Sequence, residues 1–200
     1  MNKPMEQTLV LLKPEAVVRR SVGAKIIEEI NQKYTIKKMS IVQPERAFFE
    51  NTHYVEHNGK PFFNSLINHM TTAPIIAMVV EGENAVLGVR ELLGATMVEK
   101  AMPETLRGKY GIIRGLNCAH ASDSTESANK EINNWTELMT ETINPEEYVK
   151  KYENNTYINT QEYRNGREKE DFKKLLTQET DMEEKYVDKM SQTIVDAFNE

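Results

Sequence analysis

The chain has 200 residues, enough for one domain with a sizeable core or for one domain with an appendage. A net charge of -6 excludes the basic surface typical of nucleic-acid-binding proteins. No apolar run approaches the roughly 18 residues that a membrane helix requires. A single cysteine, Cys118, excludes an intramolecular disulfide framework and is typical of a reducing compartment. We therefore expect a soluble, cytoplasmic protein with no nucleic-acid or membrane partner.

The first half of the chain is predicted to alternate between strands and helices. Apolar and β-branched runs predict three strands, over residues 7–12, 35–45 and 73–82. Helical spacing and turn signals predict four helices, over residues 22–34, 50–58, 61–70 and 84–94. Gly94 marks the end of the last of these helices.

The next segment is predicted to carry function. Residues 95–116 contain Pro103 and several glycines and are predicted to be irregular, and long loops inside compact domains tend to be functional. A short fourth strand is predicted from Cys118 to His120. Asp123 or Ser124 then caps a helix that runs to about residue 135.

The predicted order β-α-β-α-α-β-α-loop-β-α fits two architectures. It suits a split βαβ, ferredoxin-like α+β sandwich as well as a doubly wound parallel sheet. The order of elements alone does not choose between them.

The C-terminal part of the chain differs in character. Pro145 is predicted to open a short helix, and residues 159–171 read as a linker. Residues 183–198 predict an amphipathic helix with one apolar stripe, formed by Tyr186, Met190, Ile194 and Phe198. Because soluble proteins usually cover such a stripe, we expect it to dock on its own domain or on a neighbouring subunit, and to tune assembly and stability.

Two motifs raise chemical possibilities. The stretch "RGLNCAHASDSTES" places His120 among small polar residues, while cations that suit phosphate oxygens stand elsewhere, at Lys13, Arg90, Arg107 and Arg114. No glycine-rich phosphate-binding motif is present. Separately, "HYVEH" matches H-x-x-E-H, so that on a helix His53 and His57 would share a face as two zinc ligands do. A third ligand for such a zinc site is not evident.

An ordered set of motifs resembles the nucleoside diphosphate kinase family. The matching stretches are "TLVLLKPEAVVRRSVGAKIIEEI", "HYVEHNGKPFFNSLINHM", "APIIAMVVEGENAV", "GVRELLGAT", "PETLRGKYG" and "NCAHASDSTESANKEINNW". The resemblance covers residues 6 to 135 and is absent beyond about residue 157. It implies a ferredoxin-like βαββαβ sandwich with a four-stranded antiparallel sheet, within a domain of residues 1–158. Residues 159–200 would be a C-terminal extension made of a linker and the amphipathic helix.

The resemblance also implies a reaction and its residues. The γ-phosphate of ATP or another nucleoside triphosphate would move to His120, and from there to a different nucleoside diphosphate. The implied phosphate and sugar contacts are Lys13, Tyr54, Arg90, Thr96, Arg107 and Asn117. Phe62 would stack on the base beside Leu66, and Ser122 and Glu131 would orient the histidine.

Cofactor and assembly follow from the same resemblance. Mg²⁺ is expected on the nucleotide phosphates, with no metal ligand from the protein, and a tetrameric or hexameric homo-oligomer is expected. Arg114 stands where the family usually has a small aliphatic residue near the base, which bears on base preference. Two other functions remain as alternatives: a nucleotide- or partner-binding module without catalysis, and the zinc peptidase suggested by "HYVEH".

Overall fold

A four-stranded antiparallel sheet forms the centre of the structure, a computed structural model that describes residues 4–200. Its strands are β1 (Met5–Leu12), β2 (Thr35–Val42), β3 (Ile75–Glu83) and β4 (Ala119–Ala121). They lie in the order β2-β3-β1-β4, and all three pairings of these strands are antiparallel. The ferredoxin-like prediction is therefore confirmed. The doubly wound alternative is wrong, because it requires parallel strands.

Helices cover both faces of this sheet. Within the described residues the α-helices are α1 (Pro14–Val18), α2 (Arg20–Asn31), α3 (Arg46–Phe48), α4 (Phe63–Met70), α5 (Ala85–Leu93), α6 (Leu106–Tyr110), α7 (Thr125–Thr136), α8 (Pro145–Tyr152), α9 (Thr160–Asn165), α10 (Lys169–Glu179) and α11 (Glu184–Asn199). A π-helical turn (Phe49–His53) and two 3-10 turns (Val55–His57 and Val98–Lys100) complete them.

The central strand β1 supplies two cores. Val10 and Leu12 join a cluster with α2 and α5, whereas Leu9 and Leu11 join a cluster with α4 and α7 on the opposite face. All four side chains are fully buried. A strand covered on both faces is apolar without interruption, and this is the pattern that predicted β1.

Local signals fix several helix ends. Pro14 occupies the first position of α1, where its missing N–H costs nothing. Ser124 caps α7 by accepting a hydrogen bond from the Ser127 N–H, as one of the two predicted caps. Gly94 ends α5 with a φ of 86°, in the region that favours glycine, and Thr105 approaches too closely to leave room for a side chain.

Several predicted boundaries and elements differ in the structure. The predicted helix over residues 50–58 is replaced by the π-helical and 3-10 turns, and residues 95–116 include a 3-10 turn and α6. The predicted helix 22–34 begins earlier, at Arg20, and ends at Asn31. The predicted strand 35–45 ends at Val42, two residues before Pro44, which has no N–H for a ladder.

The interpretation of residues 159–171 as a linker is wrong. They contain α9 and the beginning of α10, and neither helix was predicted from the sequence. Tyr163 of α9 is fully buried although its neighbours in sequence are polar. Composition did not distinguish these helices from a linker, because short helices with a narrow apolar face consist mostly of charged and polar residues.

The expected docking of the C-terminal helix on its own domain is confirmed. We call residues 159–200 the tail, and the apolar cluster that it shares with the rest of the chain the tail core. From the rest of the chain the tail core includes Val18, Ala73, Ile112 and Leu116; from the tail it includes Tyr163, Phe172, Leu176, Val187, Met190 and Ile194.

A buried arginine lies beside the tail core. Arg19 is fully buried, and its Nη2 donates to the Tyr110 carbonyl oxygen at 2.6 Å. Its guanidinium lies over the Tyr163 ring at 5.4 Å from the centroid, and Glu179 supplies a nearby negative charge. The tail is thus joined to the sheet-bearing part by a partly compensated buried charge as well as by apolar packing.

Candidate active site

His120 lies in the middle of β4, opposite Leu11 of β1. Its Nε2–H donates to Glu131 Oε2 at 3.0 Å, because an ionised carboxylate can only accept. The Ser122 hydroxyl donates to the same oxygen at 2.6 Å and accepts from the Leu9 N–H at 3.2 Å. These contacts fix one ring nitrogen of His120 and leave the Nδ1 lone pair free.

Two guanidinium groups flank this histidine. Arg107 Nη2 donates to the carbonyl oxygen of Ala119 at 2.7 Å, and Nη1 donates to that of Gly94 at 2.9 Å. Arg90, an exposed residue near the end of α5, reaches the carbonyl oxygen of Ala121 at 3.5 Å. The two arginines therefore contact the residues on either side of His120. Burial lowers the pKa of Arg107 to about 10, with a further lowering from Arg90.

Lys13 adds a third cation at the end of β1. Its Nζ donates to the Gly115 carbonyl oxygen at 3.1 Å, which brings the 111–118 segment to the same place. Burial lowers the pKa of Lys13 to about 8; Glu15 opposes this shift and Arg107 adds to it. Lys13 therefore keeps most of its charge at pH 7 and loses it as the pH rises through about 8.

Asn117 and Thr96 are brought together beside these cations. Asn117 is almost fully buried, and its Nδ2 donates to the Thr96 carbonyl oxygen at 2.8 Å. The Asn117 Oδ1 and Arg107 Nε atoms are buried without a hydrogen-bond partner. Because buried polar groups are normally paired, these two atoms are candidates for contacts with a bound ligand.

A row of aromatic rings connects Phe62 to His120. The Phe62 ring lies 5.5 Å from His57, whose ring stacks on Tyr54 at 5.8 Å. Tyr54 in turn lies 4.4 Å from His53, which lies 4.8 Å from His120. Tyr54 is buried and burial raises its pKa, whereas Phe62 is 49% exposed, with the Lys60 Nζ over its ring at 5.8 Å from the centroid. Leu66 follows Phe62 one turn further along α4 and is half-buried.

The premise of the zinc alternative is wrong. His53 and His57 lie in different turns, one π-helical and one 3-10, so they do not share a face of an α-helix. The Trp135 Nε1–H donates to His53 Nδ1 at 3.0 Å, which ties this ring to α7. Among residues 4–200, no group of three or more histidine, cysteine or carboxylate side chains is placed to hold a metal ion.

Sequence reasoning missed two supporting pairs. Trp135 and His53 form one: burial lowers the pKa of His53 well below its usual value, so that ring is neutral. Glu15 and His69 form the other, and Glu15 also accepts from the Cys118 N–H at 2.9 Å. Burial opposes ionisation of Glu15, but His69, Lys13 and that N–H together lower its pKa to about 2. A charged residue directly after Lys13–Pro14 in an apolar context was the available signal for the second pair.

This combination defines a class of enzyme. A free imidazole nitrogen among three cations is suited to accept a phosphoryl group, since phosphoryl transfer needs positioning and charge neutralisation above all. The class of enzyme that this fold and site fit is a phosphotransferase.

Comparison with known proteins identifies the family. Residues 6–139 match the family model described as nucleoside diphosphate kinase. The chain is 47% identical over 133 residues to a nucleoside diphosphate kinase of Staphylococcus epidermidis, covering 66% of this chain and 87% of that protein. It is 44% identical over 131 residues to one of Thermoanaerobacter sp., covering 66% and 96%. The chain belongs to the nucleoside diphosphate kinase family, whose function is phosphate transfer between nucleotides.

Solved structures agree with this assignment. The nucleoside diphosphate kinase of Aquifex aeolicus has a TM-score of 0.61 at 36% identity and covers 66% of this chain and 94% of that one. That of Encephalitozoon cuniculi has a TM-score of 0.63 at 32% identity and covers 72% and 99%. The family model ends at residue 139, so the tail lies outside it. Within residues 4–200, no helix combines the length and the apolar character needed to cross a membrane.

Proposed function

We propose that this protein moves the γ-phosphate of a nucleoside triphosphate, ATP included, to a nucleoside diphosphate through a phosphohistidine at His120. One observation carries the proposal: Glu131 holds Nε2 of His120, while Arg90 and Arg107 contact the residues on either side of it. The free Nδ1 therefore points to a role as nucleophile in a positively charged site.

The transfer balances in two half-reactions. The Nδ1 lone pair of His120 forms a bond to the γ-phosphorus, the bond to the β–γ bridging oxygen breaks, and the nucleoside diphosphate leaves with that electron pair. In the second half, a terminal oxygen of another nucleoside diphosphate attacks the same phosphorus and the P–N bond breaks. The Nε2 proton stays on His120, hydrogen-bonded to Glu131, throughout, so no proton has to be exchanged with water.

Different residues around His120 would bind the phosphates, the sugar and the base of the nucleotide. Lys13, Arg90 and Arg107 would bind phosphate oxygens, since ammonium and guanidinium groups neutralise the charge that develops there. The remaining contacts that we propose are Tyr54, Thr96 and Asn117 to phosphate and sugar, with Phe62 stacked on the base beside Leu66. Stacking uses the face of a base and no polar edge, so little base selectivity is expected.

Magnesium would arrive with the nucleotide. The carboxylates of the described site are engaged: Glu131 by His120 and Ser122, and Glu15 by His69 and Cys118. The remaining charged groups that we assign to this site, Lys13, Arg90 and Arg107, are cationic and suit phosphate oxygens, not a metal ion. Mg²⁺ bound to those oxygens would further neutralise the transferring group.

We propose that residues 1–158 carry this activity and that residues 159–200 are an addition to it. A homo-oligomer, tetrameric or hexameric, is proposed from the family resemblance. A cytoplasmic location is supported by the single free cysteine, Cys118, which is buried and unpaired in the described residues.

The test is phosphorylation by ATP and Mg²⁺ without an acceptor. Wild-type protein should form an acid-labile phosphoenzyme that several nucleoside diphosphates discharge. His120→Ala should form none, whereas the matched control His57→Ala should still form it. An intermediate of wild-type yield in the His120→Ala protein would overturn the assignment.

A further inference from the structure

The tail contacts a segment that builds the candidate site. We call residues 111–118 the site loop. Arg164 of α9 donates to the carbonyl oxygens of Ile112, at 3.1 Å, and of Gly111, at 3.4 Å. Arg114 of the loop donates to the Ala197 carbonyl oxygen of α11 at 3.2 Å. Two guanidinium groups therefore join the tail to the site loop, one donated by the tail and one donated by the loop.

Apolar packing joins the same two parts. Ile112 and Leu116 are buried in the tail core together with side chains of α9, α10 and α11. The inner side of the loop faces the site, where Gly115 accepts from Lys13 and Asn117 binds the Thr96 carbonyl. Each side of this short segment thus has its own set of partners.

The backbone of the site loop is not in a relaxed conformation. Arg114 has a φ of 46° and Cys118 a φ of 75°, in the left-handed region that side-chain-bearing residues rarely adopt. Such residues persist only when surrounding contacts hold them. At Arg114 those contacts are the Glu99 carboxylate on the backbone N–H, at 2.9 Å, and the tail on the guanidinium.

The C-terminal end of the tail, which contacts the site loop through Ala197, also contacts α4, the helix that Phe62 directly precedes. Ser65 of α4 donates to Glu200 Oε1 at 2.7 Å, and Thr72 lies 3.2 Å from Thr193 between their hydroxyl oxygens. Ala197 and Glu200 are three residues apart, about one helical turn. One turn of the tail therefore contacts both α4 and the site loop.

We propose that the tail is a positioning element for the nucleotide site: it fixes the site loop relative to α4 and thereby sets nucleotide affinity. This inference rests on the proposed function. A site whose walls are already held in place loses less conformational freedom on binding, which favours affinity. The reacting groups on β4 and α7 have their own hydrogen bonds, so the rate of phosphoryl transfer at saturation does not depend on the tail.

The experiment compares Arg164→Ala with Arg167→Ala. Both remove one arginine from the tail, but the Arg167 side chain contacts only tail backbone, at Arg164 and Gly166. Arg164→Ala should raise the Kd for ADP by about three- to tenfold, an effect equal to the loss of roughly one ordinary hydrogen bond, because Arg164 acts on the nucleotide only through the site loop. The kcat at saturating nucleotides should stay within about twofold of wild type, as for a change that removes binding alone. Arg167→Ala should bind ADP as wild type does.

A second variant pair keeps the test independent of α9 folding. Glu200→Ala and Ser65→Ala should each weaken ADP binding by about two- to threefold, and the double variant should be no worse than either one. An unchanged Kd in folded Arg164→Ala and Glu200→Ala proteins would overturn the inference, and so would equal losses in Arg164→Ala and Arg167→Ala. Phosphoenzyme formation from saturating ATP tests the proposed function separately, because it should persist in all of these variants.

Discussion

Lys13 should make the affinity for nucleotide depend on pH above neutrality. Burial lowers the pKa of Lys13 to about 8 in the free protein, and phosphate oxygens bind the ammonium form. The protonated fraction is then about nine-tenths at pH 7 and about one-tenth at pH 9. If only the protonated form binds, the apparent Kd for ADP rises about tenfold across this interval.

The sign follows from the direction of the shift. A lowered pKa means that the charge of Lys13 is lost as pH rises through about 8, so affinity falls on the alkaline side and is constant on the acid side of that value. Arg107, with a pKa of about 10, and Cys118, with a pKa of about 12, keep their protons up to pH 9. A terminal phosphate has a pKa of about 6, so that of ADP is largely ionised from pH 7 upward and adds little to the slope.

Calorimetric titration with Mg²⁺ and ADP at constant ionic strength measures this effect. Lys13→Arg is the matched variant, because a guanidinium keeps its charge throughout, so its affinity should be weaker but flat between pH 7 and 9. A flat wild-type profile, or an equally steep profile for Lys13→Arg, would refute the assignment of the slope to Lys13.

Three further predictions concern the histidine and the tail. Glu131→Gln should slow phosphoenzyme formation by about 10- to 100-fold with little change in ADP affinity, because it removes the charge that orients His120. Rapid-quench kinetics measure this rate, and an unchanged rate would contradict the role of Glu131. Trp135→Phe removes the hydrogen bond to His53 and should slow the same step by about two- to fivefold through looser ring packing, with a nucleotide affinity that stays as in wild type. Ile194→Ala should lower the free energy of unfolding by about 2–5 kcal/mol, because this side chain is fully buried in the tail core; urea denaturation measures it, and a loss below 1 kcal/mol, about the cost of a surface substitution, would show that α11 is loosely docked.

The strands and the histidine environment were predictable from sequence because their signals are local. The uninterrupted apolar run of β1 and the glycine after α5 each depend on a few adjacent residues. The stretch around His120 carries the histidine, Ser122 and the cap of α7 within five positions. The order of such motifs was enough to predict the remaining site residues from the family resemblance.

The supporting contacts were not predictable because they join distant positions. Trp135 and His53 are 82 residues apart, and His69 and Glu15 are 54 apart. These contacts form because the fold brings α7 and α4 beside β1, and no local sequence pattern predicts that arrangement. In the tail, Phe172 and Leu176 of α10 are surrounded in sequence by charged residues, so the apolar face of this helix is too narrow to be recognised from the sequence.

The tail core also has a consequence for the order of events during synthesis. Val18, Ala73, Ile112 and Leu116 emerge from the ribosome long before Met190 and Ile194, which cover them. At about 5–20 residues per second, a gap of tens of residues leaves that apolar surface open for seconds. A nascent chain that has already formed its sheet therefore exposes an apolar surface that becomes buried only when the last helices fold against it. Chaperone dependence in the cell, or aggregation of stalled chains, should consequently be concentrated in this late interval.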